Sequence, residues 1–142
     1  MVTIKRTICR VISIGLLMGL AACGFSENKR KADGAVEVFH RQFNDSQYAE
    51  IYGAATPAFR STGSQADWLA YLAGVRRKIG AFKTLTPGST NVTKAPGGTF
   101  VSVTCNSQFD QDTAVEEFTF HIVGERAILY HYNINSRMLV AK

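Results

Sequence analysis

Three residue types in this chain carry the means for chemistry. The thiols are Cys9, Cys23 and Cys105, the imidazoles are His40, His121 and His131, and the acidic groups stand closest as Asp110/Asp112 and Glu116-Glu117. No CxxC occurs and no cysteine lies at ligand spacing from a histidine, so the pattern predicts no metal and no cofactor. Asp110 and Asp112 lack the further oxygens and the glycine of a calcium loop and read as turn formers. Neighbours on a strand point to opposite faces, so Glu116 and Glu117 cannot act as paired carboxylates. His40 lies beside Arg41 and reads as standing away from the Val36-Phe39-Phe43 stripe, which makes exposure its expectation. Gly97-Gly98 precedes a strand pattern, not a helix, and is no phosphate loop. Arg76-Arg77-Lys78 complements the end of a helix.

The ends of the chain are more specific. Lys5, Arg6 and Arg10 precede an apolar run from Val11 to Ala22, and Lys29, Arg30 and Lys31 follow it. The run has twelve residues, short of the ~20 that a helix needs to span a membrane. Positive charge, a short apolar segment and small residues in that order form a secretory signal pattern. From Asp33 onward ten Lys and Arg balance ten Asp and Glu, so the formal charge of +5 resides at the N-terminus. A neutral body offers no electrostatic footprint for nucleic acid.

Leu20-Ala21-Ala22-Cys23 resembles the lipobox of bacterial lipoproteins. The resemblance implies that residues 1–22 are a signal peptide and that Cys23 is the lipid-attachment residue. It implies a membrane partner through the lipid anchor and a place in the bacterial cell envelope, facing the periplasm. Gly24 after the cysteine implies the outer membrane rather than the inner. Three acyl chains exceed the two signals that stable anchoring requires. Cys105 is then the lone thiol of the mature chain, expected as a buried filler.

At 142 residues and 46% hydrophobic, the chain has one domain's worth of core. "GFSENKRKA" (residues 24–32) reads as a polar tether, giving 23–32 as a lipidated tether and 33–142 as the domain. Asp33 then reads as a cap, with Val36, Phe39 and Phe43 at helical spacing. A short helix with Tyr48, Ile51 and Tyr52 ends at Gly53, and Thr56-Pro57 caps and starts one more turn. Ser64 to Asp67 resembles a capping box before Trp68, Leu72, Val75 and Ile79, which share a face up to Gly80.

Beyond Gly80 the period changes from 3.6 to 2. Residues 82–94 are β-rich with a bend at Pro87-Gly88, and three alternating stretches follow, at 100–109, 115–123 and 126–134. A two-residue turn at Gly124-Glu125 pairs Val123 with Arg126, His121 with Ile128 and Phe118 with His131. A loop of Asp110 to Thr113 pairs Phe118 with Cys105. One sheet face then holds Val101, Val103, Cys105, Phe118, Phe120, Ile122, Ala127, Leu129 and His131. The other holds an apolar group, Phe100, Ile128, Tyr130, Tyr132 and Ile134, the interface candidates. Large polar-tipped aromatics on an uncovered sheet suit a homodimer or an envelope protein partner.

Helices first and an antiparallel meander after them predict an α+β domain, with helices packed on one face of a curved four-stranded sheet. This order is similar to the cystatin-like and nuclear-transport-factor-2-like folds. "FNDSQYAEIYGAATPAFRS", "WLAYLAGVRRKIG" and "LYHYNINS" resemble small bacterial lipoproteins of unknown function with that fold. Some proteins of this architecture are isomerases or dehydratases with acid–base groups in the cone between helices and sheet, as ketosteroid isomerase has. His131 is the titratable group this register places there. A lone histidine on an apolar face is usually a core residue, so the expected function is a non-enzymatic binding module for a small ligand or a protein, with an acid–base enzyme using His131 as the alternative.

Overall fold

The computed structural model describes residues 19–141, with side chains from Cys23 onward. Most of the expected signal peptide, Cys9 included, lies outside the described residues. The elements follow in the order α1 (Gly19–Asn44), α2 (Tyr48–Ala54), α3 (Pro57–Arg60), α4 (Gln65–Ile79), β1 (Phe82–Ala95), β2 (Gly98–Phe109), β3 (Thr113–Val123), β4 (Arg126–Ser136) and α5 (Arg137–Val140). The chain is α+β, with helices preceding an open antiparallel sheet of order β1-β2-β3-β4. α1 crosses one sheet face and touches all four strands.

The capping residues act as their types dictate. Thr56 Oγ1 accepts the Phe59 N–H at 3.2 Å and Ser64 Oγ accepts the Asp67 N–H at 3.1 Å. Gly80 ends α4 at φ 89°, where a Cβ would sit 2.4 Å from that of Asp110. Asp110 Oδ2 accepts the Ala81 N–H at 2.6 Å beside Lys83, and these contacts hold its carboxyl below the usual carboxylate range.

The segment expected as a tether is helical instead. α1 does not begin at Asp33; Gly24 to Ala32 already lie within it, and Ala32 is buried in the core. Asp33 is no cap and pairs with Lys29 one turn earlier at 2.5 Å. Lys31 pairs with Glu27 at 2.7 Å and donates to the Gly124 carbonyl at 3.0 Å, which ties the helix to the β3–β4 turn.

The β3–β4 hairpin opens in the expected register, with Val123 opposite Arg126 and His121 opposite Ile128. The register then shifts: Phe120 faces Leu129 while Thr119 faces His131, so Tyr130 bulges without a partner. Beyond the bulge every side chain changes face. His131 is exposed instead of lying in the cone, and Tyr132 and Ile134 are buried instead of belonging to the outer patch. The physical reason is the composition of the strand. Strict alternation that buried Leu129 would also bury His131, Asn133 and Asn135. One extra residue buries Leu129, Tyr132 and Ile134 together and leaves both asparagines exposed.

β2 and β3 pair two residues away from the expected register, with Phe118 opposite Val103 and Phe120 opposite Val101. The turn is tighter by two residues, with the Phe109 N–H bonded to the Asp112 carbonyl at 2.9 Å around Asp110 and Gln111. A shift of two preserves the faces, so the expected inner face survives in both strands.

Deleting Tyr130 removes the bulge but keeps the inward set, so that variant is expected to stay folded with reduced stability. Deleting Asn133 turns Ile134 outward and is expected to abolish cooperative unfolding. Urea denaturation followed by circular dichroism checks both, and equal behaviour of the two deletions refutes the bulge account.

Candidate functional site

A helix advances 100° per residue, which puts His40 within about 40° of Val36. It therefore belongs to the buried stripe of α1 that Val36, Phe39 and Phe43 define, and it is 3% exposed, against the expectation of exposure. On β3, Glu116 shares the inward parity of Phe118 and is fully buried. Ser107 on β2 faces inward two residues beyond Cys105, and the bulge brings Tyr132 of β4 to the same place.

These four side chains converge. Glu116 Oε2 accepts the Ser107 hydroxyl at 2.5 Å and meets His40 Nε2 at 2.7 Å. Glu116 Oε1 accepts the Tyr132 hydroxyl at 2.7 Å. The His40 ring stacks on Phe82, with centroids 3.7 Å apart and planes at 9°, and meets the edges of Phe39 and Phe118. Its other nitrogen, Nδ1, is buried with no hydrogen-bond partner.

The buried charge marks its neighbours. Burial, and then Glu116, raises the Tyr132 hydroxyl well above its ordinary value. The same two causes push the Cys105 thiol up to about 11, so Cys105 is a shielded thiol rather than a nucleophile. Glu116 itself is fully buried and engaged by three donors.

Beside the cluster a groove of about 740 Å³ opens between α1 and the edge strand β1. Val36, Phe82, Leu85, Val103, Cys105 and His40 form its inner surface, and Lys29, Asp33, Glu37 and Arg41 lie toward its rim. The β1–β2 register slips on both stretches of β1 that line it, at Phe82/Thr84 and at Pro87/Thr90. The second slip is the bend expected at Pro87-Gly88. Gly88 is required there, because a Cβ would lie 2.6 Å from the Thr104 carbonyl oxygen.

The other residues singled out from sequence lie apart from this site. Cys23 is exposed near the start of α1. His131 stands on β4 facing away from the helices. Of the outer-face group Phe100, Ile128 and Tyr130 remain, with Phe100 stacked on His121 at 4.8 Å and edge-on to Tyr130 at 5.0 Å. Among the described residues no three His, Cys, Asp or Glu stand together as a metal site would need. The parity of Glu116 and Ser107 and the helical phase of His40 were the signals for the cluster. Tyr132 had none, since the bulge set its face.

Residues 35–127 match the family described as "Protein of unknown function (DUF4019)". The chain belongs to this family. The matched segment holds His40, Ser107 and Glu116. No curated protein matches the sequence. Among solved structures, Bd1075 of Bdellovibrio bacteriovorus is similar at 10% identity with a TM-score of 0.49. The similarity covers 75% of this chain and 40% of that one, so this chain spans well under half of Bd1075.

Loss of the cluster's acceptor leaves three buried donors unsatisfied, so Glu116→Ala is expected to cost about 3–5 kcal/mol. Tyr132→Phe removes one donor and is expected to cost about 1 kcal/mol. Chemical denaturation measures both, and a Glu116→Ala loss no larger than that of Tyr132→Phe refutes the cluster.

Proposed function

We propose that this member of the DUF4019 family is a lipid-anchored protein of the bacterial cell envelope whose domain binds a small ligand without chemistry of its own. The groove between α1 and β1 carries the reading: an apolar, concave surface of ligand size with one buried polar side chain in its wall. With Tyr132 and Ile134 in the core, the outer sheet face keeps a smaller apolar group. Pairing through that face is therefore the weaker reading. His131, exposed on that outer side, is not in the cone where the acid–base alternative needs it.

The anchor rests on Cys23 and the apolar run before it. No helix of the described residues is long and apolar enough to cross a membrane. Because α1 is continuous, the nine helical steps from Cys23 to Ala32 span about 13 Å at 1.5 Å per residue. A rigid helix of that length would hold the domain, and the mouth of its groove, close to the membrane surface. Gly24 favours the outer membrane.

Cys23→Ser is expected to move the protein from the membrane fraction to the soluble fraction once the signal segment is removed, and a mature-size mutant retained in membranes refutes the anchor. For the groove, Thr84→Trp places a large ring at its exposed wall without touching the core. Small apolar fragments are expected to raise the unfolding temperature of the native protein and not that of Thr84→Trp. Equal shifts in the two proteins, or none in either, refute the groove as a binding site.

A further inference from the structure

The unpartnered nitrogen of His40 narrows the ligand. Glu116 Oε2 lies 2.7 Å from Nε2, and two bare lone pairs would repel at that separation, so the hydrogen sits on Nε2 and is donated to the carboxylate. A second hydrogen on Nδ1 would be a buried donor with nothing to accept it, and orphaned buried donors are rarer than orphaned acceptors. Nδ1 therefore presents a lone pair, and Glu116, itself fixed by Ser107 and Tyr132, holds the ring in that tautomer. A buried acceptor without a donor is destabilising, and a ligand supplying a donor would relieve it.

We propose that the groove takes a molecule with an apolar body and one hydroxyl or N–H group, and that His40 Nδ1 accepts the hydrogen bond from that group. The inference rests on the groove being the binding site. His40 is part of its wall, and the stacked Phe82 covers a face of the ring. A hydrogen bond to Nδ1 arrives in the ring plane, so Phe82 keeps its stacking while the ligand engages the edge. Access needs a small outward shift of β1, and the slips at Phe82/Thr84 and Pro87/Thr90 leave this edge strand with fewer pairings to resist it. Bulges are frequent at sheet edges and beside binding sites. The apolar body would lie along Val36, Leu85 and Val103, and a ligand lacking the donor would leave Nδ1 as it is now.

Indole and 1-methylindole, in which a methyl group replaces the N–H hydrogen, serve as the probe pair. Long-range ¹H–¹⁵N spectra of the purified full-length chain are expected to show the His40 hydrogen on Nε2, and indole is expected to shift the Nδ1 resonance. The hydrogen bond is expected to make indole bind about fivefold tighter than 1-methylindole. A hydrogen found on Nδ1, or equal affinity for the two probes with both perturbing groove residues, overturns this inference and leaves the groove as a binding site. If neither probe perturbs Phe82, Leu85 or His40, the groove reading falls, and this inference with it.

Discussion

A fully buried carboxylate imposes a condition that most of this fold must meet. Moving an ion of that size out of water costs several kcal/mol even after relaxation, so Glu116 is tolerable only if donors surround it in the folded state. Its donors come from three separate elements: Ser107 from β2, Tyr132 from β4 and His40 from α1. Each must arrive within hydrogen-bonding distance at once. The condition therefore selects the docking of the long helix on the sheet and the phase of the last strand, which apolar burial alone leaves less defined.

The bulge at Tyr130 serves the same condition. With strict alternation β4 would present His131 to the interior, near His40 and the helices, and would turn the Tyr132 hydroxyl away from Glu116. One unpaired residue exchanges the two, seats Ile134 in the core and frees two asparagines to solvent. Its energetic basis is ordinary: the cost of one irregular ladder position is set against burying two amides and an imidazole without partners. The change also decides what the outer face can do, because two of the residues that would have enlarged its apolar group are now inside.

The groove follows from the far edge of the sheet. β1 has strand partners on one side only, and its two slips interrupt even that pairing where it approaches α1. The helix is tied down at the opposite end, where Lys31 reaches the Gly124 carbonyl and Glu125. The result is a helix tied to the β3–β4 turn near Lys31 and to the start of β1 through Asn44 and Phe82, with a concave space left beside β1 that has His40 in its wall.

The order of elements, the helix caps at Thr56 and Ser64, the stop at Gly80 and the inward faces of β2 and β3 were all legible in the sequence, because each depends on contacts within a few residues or on a period that burial enforces. Local pattern failed where the deciding contact was distant. Residues 24–32 read as a polar tether, yet they form helix, since Ala32 packs into the core and Lys31 finds carboxylates on both α1 and the β3–β4 turn. His40 read as exposed until its phase was set against the stripe it completes. Glu116 was visible as one of two neighbouring acids on opposite faces, but its three donors lie 76, 9 and 16 positions away along the chain, beyond the reach of any local pattern. The sequence by itself determined the order of helices and strands between Asp33 and Ile134 and which faces of β2 and β3 are apolar, because those are properties of neighbouring residues. Tertiary structure alone decided the phase of β4, the burial of Tyr132 and the convergence on Glu116, because a bulge flips every side chain beyond it and its stability depends on what the opposite elements supply.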